Sequence, residues 1–94
     1  MVNVDNLDWM PHLAVPDGKR AIFTLENGYV LSIVFGSNLY GDGVETFEVA
    51  VRESENTPLI DLAPFGYDDC VAGWLTRKEI NELAAKIAVL PGKD

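Results

Sequence analysis

The stretch Ala21-Ile22-Phe23-Thr24-Leu25-Glu26-Asn27-Gly28-Tyr29-Val30-Leu31-Ser32-Ile33-Val34-Phe35 sets two β-prone runs on either side of Asn27-Gly28. Asn and Gly both tolerate positive φ, which a type I′ turn demands at both central positions. A two-residue turn at Asn27-Gly28 then dictates a register. Glu26 lies opposite Tyr29, Ile22 faces Ile33 and Thr24 faces Leu31. On the other side Phe23 meets Ser32 and Ala21 meets Val34. Both sides carry apolar groups, so the hairpin is expected to lie centrally, covered on two faces.

C-terminal to the hairpin, residues 36–43 (Gly-Ser-Asn-Leu-Tyr-Gly-Asp-Gly) hold three glycines and read as a loop. Residues 44–53 alternate, with Phe47, Val49 and Val51 on one side and Thr46, Glu48, Ala50 and Arg52 on the other. That pattern is a half-buried strand. Residues 54–58 read as a turn, 59–62 as a short fourth strand and 63–69 as a loop. The sequence Thr76-Arg77-Lys78-Glu79 fits a capping box, and Ile80, Leu83, Ala84, Ile87 and Leu90 recur at helical spacing up to Pro91-Gly92. Arg77 and Lys78 sit in the first turn, where the helix dipole disfavours cations, which hints at another use for them.

N-terminal to the hairpin, residues 1–18 are interrupted by Pro11, Pro16 and Gly18. Their apolar residues Leu7, Trp9, Met10, Leu13 and Val15 suggest an extended arm that docks on the body. The expected fold is α+β. A single domain spans 1–94: an irregular arm (1–18), an antiparallel meander of three to four strands (19–62) and one C-terminal helix (76–90) packed on it. The second face, around Ile22, Leu31 and Ile33, is expected to be covered by the arm or by a second copy of the chain, which makes a homodimer an expectation too.

The 94 residues carry 15 Asp and Glu against 7 Lys and Arg, a net charge of −8, with 48% apolar residues. This length suits one domain, and this apolar content suits a folded one. The cations at 19, 20, 52, 77, 78, 86 and 93 form no stripe, which argues against direct nucleic-acid or membrane binding. Acidity is compatible with a basic partner and equally with plain solubility. No uninterrupted apolar run exceeds residues 87–90. The lone Cys70 excludes an internal disulfide, and the first residues show no secretory pattern, so a cytoplasmic location is expected.

Catalytic candidates are poor. His12 lies between Pro11 and Leu13 and reads as a surface residue. Cys70 follows Asp68 and Asp69, which disfavour a thiolate. The acids at 42, 45, 61, 68 and 69 lack the spacing of a cation loop. No phosphate loop, zinc pattern or nucleophile elbow is present, and neither enzyme activity, metal nor cofactor is expected. Two segments suit partner binding. One is the 36–43 loop with Asn38, Tyr40 and Asp42, followed by Glu45; the other is 65–74, with Tyr67, Asp68, Asp69 and Trp74 close together. Interleaved aromatics and acids suit a basic protein groove. The plainer reading puts Phe65 and Trp74 in the core, closing the helix onto the sheet, because a small core needs large aromatics.

The residues Asn27-Gly28-Tyr29, Leu31-Ser32-Ile33-Val34, Tyr40-Gly41, Phe47-Glu48-Val49-Ala50-Val51 and Gly73-Trp74-Leu75-Thr76 through Glu79-Ile80 resemble a widespread type of small bacteriophage-encoded protein of unknown function. The resemblance covers residues 26–90 and leaves the arm outside. It supplies no catalytic positions. It implies a phage accessory protein acting in the bacterial cytoplasm. Such proteins are often inhibitors of host defence, and several inhibitor families are acidic and imitate DNA. The expectation that follows is a non-enzymatic acidic protein that binds a host protein, in the sharper version inhibiting a DNA-binding defence system such as CRISPR or restriction machinery. The alternatives are a self-associating phage structural or assembly protein and a small-ligand-binding protein.

Overall fold

The computed structural model describes residues 2–36, 39 and 41–91. Asn38 and Tyr40 lie outside the described residues. The chain forms a five-stranded antiparallel sheet and one C-terminal helix, an α+β fold. The strands are β1 (Met10–Pro11), β2 (Lys19–Thr24), β3 (Val30–Phe35), β4 (Phe47–Arg52) and β5 (Val71–Leu75), in that spatial order; the helix is α1 (Arg77–Ala88). Short 3-10 turns lie at Val4–Asn6 and Ala63–Phe65.

The strand count is five, not three to four. Two short edge strands make the difference. Met10 and Pro11 of the arm pair with Arg20 and Lys19, and residues 71–75 pair with β4. The expected strand at 59–62 is reduced to one bridge, Leu59 to Arg52. Gly73 and the crowded acids and aromatics of 65–74 hide β5 from a pattern reading.

The hairpin is present, but its register differs by one residue from the type I′ expectation. Thr24 pairs with Val30, Phe23 with Leu31, Ile22 with Ser32 and Ala21 with Ile33. The Leu25 amide donates to the Tyr29 carbonyl at 2.8 Å, so Glu26, Asn27 and Gly28 form a three-residue loop. Gly28 takes φ +94°, the left-handed residue that such a loop requires. Asn27 accepts from the Tyr29 amide through Oδ1 at 3.3 Å, while its Nδ2 donates to the carbonyls of Ile87 and Leu90 at 2.9 and 3.1 Å. The turn therefore caps the end of α1.

A one-residue slip exchanges the faces of a strand. Here it sends Ala21, Phe23 and Leu25 to the side of Leu31 and Ile33, over which the helix packs. The core joins Leu31, Ile33, Phe47, Val49, Val51 and Leu75 of the sheet to Ile80, Leu83 and Ile87 of the helix, each at most 2% exposed. The opposite face carries Arg20, Ile22, Ser32, Ala50 and Arg52. Buried Val30 and Val34 and exposed Ile22 stand there among polar and charged neighbours, Glu48 included.

The capping box forms as expected. The Thr76 hydroxyl accepts from the Glu79 amide at 3.2 Å, and Glu79 Oε1 accepts from the Thr76 amide at 3.1 Å. The arm docks on the helix side through the expected Leu7 and Trp9 and, more deeply, through two residues that the pattern did not single out. Val2 and Val4 are each 3% exposed, whereas Met10 and Leu13 point outward. Asn81 holds the Val2 backbone from both directions, at 2.8 and 3.0 Å. Trp9 packs on Phe35 and Phe47, with ring centroids 5.1 and 6.0 Å away. Among the described residues no helix is long and apolar enough to cross a membrane.

Replacing Asn27 with Ala removes both side-chain bonds to the end of α1. Each such bond is worth about 1 kcal/mol net, so Asn27→Ala should lower unfolding free energy by about 1–2 kcal/mol in urea denaturation. No change would mean that the turn and the helix end are uncoupled.

Candidate binding surface

Arg77 explains the cation in the first helical turn. Its guanidinium forms a two-point bond to Asp5, Nη2 to Oδ1 at 2.8 Å and Nε to Oδ2 at 3.2 Å. Nη1 donates to the Val44 carbonyl at 2.7 Å, and the guanidinium carbon lies 5.4 Å from the Phe47 ring centroid. One side chain thus joins the arm, the loop before β4, the sheet and the helix start. Arg77 is committed to architecture.

Asp42 is committed in the same way. Its Oδ1 accepts from the amides of Val44, Glu45 and Thr46 at 2.9, 3.0 and 3.0 Å. These backbone bonds, that to Thr46 foremost, hold its carboxyl down to about 2 from an ordinary 3.8. Asp42 therefore fastens the turn that enters β4. Glu45, in that turn, is exposed and contributes to the field at Arg77.

His12 and Cys70 both take part in local contacts with the backbone. His12 Nδ1 accepts from the amides of Ala14 and Val15 at 3.0 and 3.2 Å, which orders the turn before Gly18. Cys70 is half-buried, and its amide donates to the neighbouring Asp69 carboxylate at 2.6 Å. Among the described residues no group of three or more His, Cys, Asp or Glu is arranged to hold a metal ion.

The second predicted segment does come together. Tyr67, Asp68, Asp69, Gly73 and Trp74 line one shallow concavity of about 340 Å³ along the free edge of β5. Tyr67 packs its ring against the core. Burial first, and then the carboxylates of Glu79 and Glu82, push its hydroxyl pKa upward. Asp68 and Asp69 are exposed. Phe65 is half-buried against the core, as the plainer reading expects, but Trp74 is not: it is 58% exposed.

The cause is a β-bulge. Val49 pairs with Ala72 and Phe47 with Leu75, so two residues of β5, Gly73 and Trp74, stand against Glu48 alone. The extra residue allows Ala72 and Leu75, three apart, both to point into the core. Trp74 absorbs the irregularity at φ +58° and turns outward. A bulky side chain in this region is a steric outlier. Nothing in the sequence distinguishes Trp74 from a core tryptophan, because the bulge arises from the conflict between strand pairing and the two buried neighbours.

Two predictions follow from this geometry. At an ordinary extended position Ala is more stable than Gly by about 0.5–1 kcal/mol, whereas in left-handed backbone the order reverses by about 1–2 kcal/mol. Trp74→Gly should therefore be more stable than Trp74→Ala in denaturant titration, and the opposite order would show extended backbone at 74. For Asp42 the folded pKa is depressed, so its stabilisation is present above pH 3.8 and is lost as pH falls towards 2. Asp42→Ala should destabilise the protein fully at pH 6, and the difference from the parent should shrink steeply as pH falls to 2; a pH-independent difference would contradict the turn-fastening role. No protein-family model, curated protein or solved structure matches this chain.

Proposed function

We propose that the chain is a non-enzymatic binding protein that engages a basic partner protein through the free edge of β5. Trp74 is the anchor, and Tyr67, Asp68 and Asp69 form its rim. The observation that carries this reading is an exposed tryptophan held in left-handed backbone beside two exposed carboxylates. Strained residues cluster at functional sites, and tryptophan is enriched among the residues that dominate interface energies. The net charge of −8 favours encounter with a cationic surface and repels nucleic acid itself. Asp42 leaves the predicted set because its carboxylate is spent on the turn. In the setting that the phage resemblance implies, the partner is a DNA-binding host defence protein in the bacterial cytoplasm, and the acidic edge occupies the surface that DNA would use.

The test is a pull-down from bacterial lysate with tagged parent protein, Trp74→Ala and the Asp68→Lys/Asp69→Lys pair, each with and without duplex DNA. The expected result is a DNA-binding protein captured by the parent and displaced by DNA. Trp74→Ala should weaken its binding by at least about 30-fold, the 2 kcal/mol of an interface anchor. The charge-reversed pair should slow association and remove its salt dependence. A partner held equally by the parent and both folded variants would place the interface elsewhere.

A further inference from the structure

The sheet face opposite the helix holds a second concavity, of about 400 Å³, lined by Arg20, Ile22, Val30, Ser32, Arg52 and Glu55. The register places its residues in order. Ile22, Ser32 and Ala50 form one row across β2, β3 and β4, with Arg20 one row to one side and Arg52 one row to the other. Two of the chain's three arginines therefore line one concavity from the rows on either side of Ser32, and Glu48 shares the row of Arg20.

The arginines differ in what they do. Arg77 is consumed by Asp5, Val44 and Phe47. Arg52 donates Nη1 to the Thr57 carbonyl at 3.1 Å, which fixes one side of its guanidinium. Arg20 has its Nε buried without a hydrogen-bond partner. That N–H is equally shut off from a ligand in the concavity, so only the two Nη groups of this half-buried side chain remain to serve one.

We propose that this concavity is a binding site for a small oxyanion, the carboxylate or phosphate group of a low-molecular-weight ligand. Arg20 supplies a planar fork to the oxyanion, Arg52 a second positive charge and Ser32 a hydroxyl donor between them. Ile22, 40% exposed, and Val30 provide an apolar wall for the carbon part of the ligand. Glu55 at the rim and the overall charge of −8 disfavour a polyanion, so the site selects a single compact group rather than a nucleic-acid backbone. The site lies on the sheet face and does not depend on the β5 edge.

The test is an amide NMR titration of the full chain with sodium acetate and, separately, with inorganic phosphate, against sodium chloride at matched ionic strength. Saturable shifts centred on Ile22, Ser32 and Arg52 are expected with at least one oxyanion and not with chloride. Saturation by acetate alone assigns the site to carboxylates, and saturation by phosphate alone assigns it to phosphates. Arg20→Gln should weaken binding at least about fivefold, Arg20→Lys should retain part of it, and Lys86→Gln, on the helix, should leave it unchanged. Circular dichroism confirms that each variant is folded. Shifts that never saturate, that match those of chloride, or that persist undiminished in folded Arg20→Gln would overturn the assignment.

Discussion

The register of the β2–β3 hairpin governs the rest of the molecule. One residue more in its turn places Phe23 and Leu25 under the helix and leaves Arg20 and Ile22 outside. The opposite choice would bury Thr24 and expose Phe23. Three features hold the observed register together. Gly28 supplies the left-handed residue, Leu25 and Tyr29 close the loop, and Asn27 donates to two carbonyls at the end of α1. The turn thus answers both to its own strands and to an element sixty residues away, and the second requirement is absent from any local reading.

A second constraint joins the two ends of the chain. Val2 and Val4 complete the core beneath the helix, and Asn81 and Arg77 on successive turns of α1 grip the backbone and Asp5 of the arm. The Asp5–Arg77 pair is too exposed to contribute much by itself; surface pairs are commonly worth about 0–1 kcal/mol. Its weight lies in being shared, since the same guanidinium also holds the Val44 carbonyl and covers the Phe47 ring. This geometry accounts for a basic residue at the unfavourable end of a helix dipole. In a chain of 94 residues with one cysteine, such multiply used side chains do the work that disulfides do elsewhere.

The free edge of β5 shows how packing creates a surface. Ala72 and Leu75 both belong to the core, and their spacing is incompatible with simple alternation. The bulge resolves the conflict, and Trp74 is turned out as a result. An irregular, acidic edge is also a poor template for uncontrolled strand pairing. The proposed interface and protection against aggregation thus stem from the same distortion.

By itself the sequence determined the α+β class, the hairpin's location, the β4 strand, the capping box and the buried stripe of α1. Each rests on short-range physics: turn tolerance, alternation, and hydrogen bonds between residues three or four apart. It also singled out the aromatic and acidic segment at 65–74, whose Tyr67, Asp68, Asp69 and Trp74 line one concavity. Only the tertiary structure decided the hairpin register, the edge strands β1 and β5, and the burial of Val2 and Val4. It likewise decided the exposure of Trp74 and the burial of the Arg20 Nε. Each of these depends on which distant elements compete for the same core volume or the same hydrogen-bonding group, as when Asn27 meets the end of α1 or when Ala72 and Leu75 both require burial. That competition is settled when the layers pack, and spacing along the chain carries no record of it.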